Sequence, residues 1–139
     1  MSVMKRLLGI DYGSKRIGIA VSDPLRIIAK GISVIFNSAK SIGQIKKIVE
    51  EYDIEAIIIG MPLNLKGEKG IKAEEVEIFI AELETTLNIN VVRIDERFTS
   101  KIAQQTLLDM NVKKKFRQTK GNLDSMSAAL ILQTYLDSH

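Results

Sequence analysis

The sequence predicts an α/β fold: a five-stranded mixed sheet in the order 3-2-1-4-5, flanked by helices. Two observations carry that expectation. Three apolar runs at the start are joined by turns of hairpin length, and farther on apolar strands alternate with helical patterns. Lys5 to Asp11 is a short apolar run ending at the turn-like Tyr12-Gly13-Ser14-Lys15, and Ile17 to Val21 returns from it as a hairpin partner. Asp23-Pro24 turns the chain into a third strand, Ile27 to Phe36. Ser41 with Gln44 three residues later is the pattern of a capping box. It opens a helix whose Ile42, Ile45, Ile48, Val49 and Tyr52 share one face. Ala56 to Ile59 is almost continuously apolar, as in a strand covered on both sides. A second amphipathic helix carries Val76, Phe79, Ile80, Leu83 and Leu87, and Asn90 to Asp95 forms another buried strand. Thr99 caps a third helix with Ile102, Ala103, Leu107 and Met110. After the polar segment from Lys113 to Asn122, a last helix runs to about Leu136. Right-handed crossovers put the fourth strand beside the first and the fifth beyond it.

Nothing divides the chain, so residues 1–139 are expected to form one domain. Hydrophobic residues make up 45% and charged residues 27%, a globular rather than a disordered balance. Without cysteine, disulfides and thiolate metal sites are excluded. No apolar run has the length of a signal peptide core or a membrane span, so a cytoplasmic location and no membrane partner are expected. The net charge of +3 leans weakly towards polyanions.

Asp11, Glu96 and Asp124 each stand where an apolar element begins or ends. Carboxylates are expensive to bury unpaired. In the expected topology Asp11 and Glu96 share the carboxyl edge of the sheet, where open α/β sheets bind ligands. The last helix can bring Asp124, in its first turn, to the same edge. Three converging acids are best relieved by a divalent cation with hard oxygen ligands, the usual arrangement for cutting phosphodiesters. Each acid also has a local explanation: a turn for Asp11, a helix start for Asp124, an ion pair with Arg97 for Glu96. Asp95 is a lesser candidate, because strand alternation points it away from the side of Glu96. Lys113, Lys114, Lys115, Arg117 and Lys120, with Phe116 among them, form the densest basic stretch. They are suited to neutralising phosphates and stacking a base, and a solvated loop is the competing account. Arg16 and Arg97 are candidate bidentate phosphate clamps. The loop from Gly60 to Gly67 lies at the same edge. The single histidine, His139, is the final residue and a poor catalyst, which argues against a histidine-based hydrolase.

Four segments are similar, in order and spacing, to a known family: Gly9-Ile10-Asp11-Tyr12-Gly13-Ser14-Lys15-Arg16-Ile17-Gly18, then Gly60-Met61-Pro62, then Asp95-Glu96-Arg97-Phe98-Thr99-Ser100, and finally Asp124 to Gln133. The chain resembles the YqgF family, also called RuvX-like, ribonuclease H-like proteins related to Holliday-junction resolvases. The resemblance implies a ribonuclease H-like fold and a nuclease using Mg²⁺ or Mn²⁺, with Asp11, Glu96 and Asp124 as catalytic and metal-binding acids. It further implies maturation of the 5′ end of 16S ribosomal RNA, with structured precursor RNA, branched DNA or ribosomal particles as partners. The chemistry would be in-line hydrolysis at a two-metal site, Asp11 being the shared ligand. Wider resolvases carry an acid at the end of the fourth strand, where this chain has Gly60-Met61-Pro62, so Glu96 would have to substitute. A Holliday-junction resolvase and a non-enzymatic nucleic-acid-binding module are the alternatives. An actin-like or sugar-kinase-like ATPase needs two lobes, which this length does not allow.

Overall fold

Alternation along the first strand, β1 (Arg6–Tyr12), sends apolar side chains into two separate cores. Leu8 and Ile10 face one side of the sheet and Leu7 the other. The computed structural model describes residues 5–64, 66–99 and 120–139, with the backbone alone at Phe98 and at residues 120–124. β2 (Arg16–Ser22) pairs antiparallel with β1, and β3 (Ala29–Phe36) antiparallel with β2. β4 (Ile54–Met61) and β5 (Asn90–Asp95) add in parallel on the other side of β1. The order is β3-β2-β1-β4-β5, as the sequence predicts.

Helices α1 (Ser41–Tyr52) and α2 (Ile71–Leu87) cover one face, closing a core around Leu8, Ile10, Ile57, Ile59, Ile80 and Leu83. Helix α3 (Lys120–Ser138) covers the other through Ala128, Ala129, Ile131 and Leu132. It lies very close. A Cβ added at Gly9 would stand 2.7 Å from Leu132 Cβ and 2.9 Å from the Ala128 carbonyl oxygen, and one at Gly31 would stand 2.8 Å from the Ser125 carbonyl oxygen. Glycines on the sheet facing small residues on the helix are what permit this approach.

Several local expectations are corrected. The Ser41–Gln44 capping box does not form. Lys40 is the N-cap and makes no side-chain cap bond, while Ser41 Oγ donates to the Phe36 carbonyl and accepts from the Ser38 N–H. β3 begins at Ala29, not Ile27. Asp23 claims the preceding backbone, its carboxylate accepting from the N–H groups of Leu25, Ile27 and Ile28 while Arg26 sits at φ 59°. β5 is an edge strand with only Val91 buried; its exposed Arg93 grips Glu77 through Nε at 2.5 Å. α3 starts earlier than expected, so Asp124 lies a full turn inside it, not in the first turn, and a helix-start role does not account for it. The expected third helix beyond Thr99 falls outside the described residues. Thr99 itself closes a 3₁₀ turn, Glu96–Phe98, through its N–H and Oγ1, which both donate to the Glu96 carbonyl.

Gln133, only 1% exposed, ties α3 to the β2–β3 connection. Its Oε1 accepts from the Ala29 N–H at 2.8 Å, and its Nε2 donates to the Ile27 carbonyl at 3.0 Å and to Asp137 Oδ1 at 3.0 Å. Gln133→Leu strands a buried N–H and a carbonyl. Urea denaturation should show a loss of about 2 kcal/mol.

Candidate active site

The carboxyl ends of β1, β4 and β5 meet at one edge of the sheet, on the face that α3 covers. Asp11 has the parity of Leu7 and Gly9, both of which face α3. Glu96 opens the 3₁₀ turn directly after β5, so it can fold back over β4 instead of continuing the strand. There Gly60 leaves it room. A Cβ built on Gly60 would stand 2.5 Å from Glu96 Oε1, 2.8 Å from its Cγ and 2.7 Å from Ile131 Cδ1. The carboxylate of Glu96 therefore occupies the place of a side chain at the end of β4, and from there it shares a hydrogen bond with Asp11. Burial pushes the Glu96 carboxyl above its ordinary value. The Lys72 ammonium and the bond to Asp11 work against that rise, and the neighbouring Asp95 carboxylate adds to it.

Asp124 approaches along α3. With the Ala128 carbonyl over Gly9 and Gln133 over Ala29, the helix runs antiparallel to β1. One turn back from Ala128, about 6 Å, is Asp124. Two residues on from Gly9, about 7 Å, is Asp11. The two backbones therefore advance to the same edge. The side chain of Asp124 is outside the described residues, and among those described no group of three or more potential metal ligands assembles.

Arg97 does not pair with Glu96. Its guanidinium and backbone N–H bind Asp95 instead, with Nη2 2.6 Å from Oδ2 and N–H to Oδ1 at 3.0 Å. That removes the ion-pair explanation for Glu96 and explains Asp95, which faces away from the acidic pair as alternation predicts. The Arg97 guanidinium also packs on the loop after β4, where a Cβ on Gly67 (φ 80°) would lie 3.2 Å from Nη2. Asn64 shapes that loop by accepting the N–H groups of Lys66 and Glu68 at 2.9 Å. Arg16, at the start of β2, has the parity of Ala20 and so stands on the face of Asp11. Lys113, Lys114, Lys115 and Arg117 lie outside the described residues, as does the side chain of Lys120.

Lys72 beside Glu96, and the space at Gly60 that Glu96 fills, are features of the site that the sequence alone did not bring out. The first was accessible in principle: a helix following a parallel strand starts at the carboxyl edge, so the first turn of α2 belongs there. The second depended on knowing which side chain would fill the space.

Electrostatically, the site is two oxygen-rich groups in contact, one of them half-buried with its ionised form disfavoured. This donor set fits a hard divalent cation, which would relieve the crowding.

A model of the RuvX family, described as Holliday junction resolvase, matches residues 5–138. A Sulfurihydrogenibium protein named "Putative pre-16S rRNA nuclease" is 44% identical over 136 residues, covering 96% of this chain and 91% of that one. Among solved structures, Thermus thermophilus RuvC in complex with a Holliday junction substrate superposes with a TM-score of 0.61 at 15% identity, over 96% of both chains. The fowlpox virus Holliday junction resolvase superposes with a TM-score of 0.56 at 14% identity, over 96% of this chain and 99% of that one. At those identities the likeness concerns the fold, which is the ribonuclease H-like one.

Proposed function

The chain belongs to the RuvX family, and from that premise we propose that it is a phosphodiester-cleaving nuclease that matures the 5′ end of 16S ribosomal RNA in the cytoplasm. The observation that carries this reading is the contact of Asp11 with Glu96 at the carboxyl edge, beneath α3. Asp11, Glu96 and Asp124 would hold Mg²⁺ or Mn²⁺. Bound there, the cation would neutralise the crowded acids and act as a Lewis acid towards a phosphate.

The remaining work falls to residues of the chain. Burial holds the Glu96 carboxyl above its ordinary value beside Asp11, so the two acids are where a cation would give most relief. Arg97, bound to Asp95 and packed against the loop at Gly67, and Arg16, on the face of Asp11, would orient a phosphate. Lys72 adds positive charge beside Glu96. The stretch Lys113 to Lys120 supplies sequence-independent attraction for structured precursor RNA or for a ribosomal particle.

The test is cleavage by the purified protein of a 5′-extended 16S precursor RNA beside a four-way DNA junction, each with Mg²⁺, Mn²⁺ or EDTA. Cutting of the RNA only, abolished by EDTA, is the expected result. Symmetric nicking of the junction would transfer the assignment to resolvase, the activity in the family description. Binding of both without cutting would leave a nucleic-acid-binding module.

A further inference from the structure

On the opposite face of the sheet from the acids, between the start of α1 and the middle of α2, lies a cavity of about 200 Å³. The neighbour of Asp11, Tyr12, points to this side, in step with Leu8 and Ile10. Its ring packs on Phe79, with centroids 4.6 Å apart and planes tilted by 45°, and the two form an aromatic floor. Ile42 and Ile78 supply aliphatic walls, and Ile78 remains 63% exposed at the rim.

Two carboxylates bracket this apolar space. Glu75 and Glu82 stand seven residues apart on α2, two turns along one face, with Ile78 and Phe79 between them. Neither has a hydrogen bond or ion pair among the described residues. Glu77, by contrast, takes both Arg93 and Lys69. The cavity thus combines aromatic and aliphatic walls with two carboxylates that have no cationic partner among the described residues.

We infer that this cavity is a docking site for an arginine side chain presented by a basic segment of a partner protein. The chemistry selects the occupant. An aliphatic stem lies along Ile42 and Ile78, a guanidinium reaches between Glu75 and Glu82, and the Tyr12 ring offers a face to the cation. The volume is below the roughly 300–1,000 Å³ of small-molecule sites, which suits one side chain rather than a cofactor. Paired carboxylates at the rim repel a nucleic acid backbone, so the occupant is not the substrate. A partner seated here would sit back to back with the acidic site, leaving the α3 face open to RNA.

The experiment is an NMR titration of the whole chain with the peptide acetyl-Gly-Arg-Gly-Arg-Gly-amide, its citrulline counterpart and uridine monophosphate. The arginine peptide is expected to shift the Ile42 and Ile78 methyl and Tyr12 ring resonances. Glu75→Gln/Glu82→Gln, or citrulline in place of arginine, should weaken that binding about tenfold or more, with nuclease activity unchanged in the double variant. The inference is overturned if the Ile42 and Ile78 signals do not move, if the double variant binds as well as the parent, or if uridine monophosphate saturates the cavity. Both glutamates are on an exposed helix face, so the variant folds, and its own spectrum verifies this.

Discussion

Asp11→Asn is expected to reduce cleavage at least about a thousandfold, equivalent to about 4 kcal/mol of transition-state stabilisation, without lowering the melting temperature. Asp11 is the acid on the central strand, in direct contact with Glu96. An amide keeps the shape and a hydrogen-bonding capacity but loses the negative charge that a cation requires. Removing a charge from a crowded acidic pair costs the fold nothing and relieves repulsion, so the variant should melt at or above the temperature of the parent. Single-turnover cleavage together with a thermal melt checks both parts. A folded Asp11→Asn protein with full activity would eliminate the proposed site.

Gly60→Ala should be nearly as damaging, and for a geometric reason. One methyl group placed 2.5 Å from Glu96 Oε1, 2.8 Å from its Cγ and 2.7 Å from Ile131 Cδ1 cannot be absorbed without displacing the Glu96 side chain and shifting the tip of Ile131. Overpacking of this kind costs about 1–3 kcal/mol of stability. Displacing a positioned carboxylate by about 1 Å can cost about a hundredfold in rate. The expected signature is a loss of activity out of proportion to the fall in denaturation midpoint. Gly43→Ala is the control: a Cβ there meets nothing within 4 Å, and in the first turn of α1 it should stabilise by up to about 0.5 kcal/mol with cleavage unchanged.

The strand order was legible because hairpin-length turns and right-handed crossovers leave few alternatives for this succession of elements. Asp11 and Glu96 could be assigned to one edge on the same grounds. What the sequence did not reveal was set by contacts between distant residues. Ser41 resembles a cap from its neighbours, yet the nearby Phe36 carbonyl and Ser38 N–H engage its hydroxyl. Asn90 to Asp95 reads as buried from its apolar residues, but as the last of the described strands it pairs on one side only among the described residues. Asp23 delays β3 by capturing three N–H groups, a competition between side chain and ladder that periodicity does not register. Gly60 reads as punctuation after a strand. Its purpose emerges only with Glu96 placed above it, and the absence of an acid at the carboxyl end of β4 and the presence of one after β5 are then a single fact.

The way α3 lies on the sheet has a consequence for when the protein can act. Gln133 bonds a strand residue 104 positions earlier in the chain, and the proposed acids likewise come from the first strand, the turn after the fifth and α3. Contacts of such long separation form late, because the chain must close a large loop before they are rewarded. The core under α1 and α2 can gather from shorter-range pieces, leaving the opposite face bare until α3 settles. A half-folded chain would therefore present a sheet but no assembled set of acids. On the proposed assignment, competence to cut RNA arrives only with the completed fold, and immature copies are harmless to the transcripts around them.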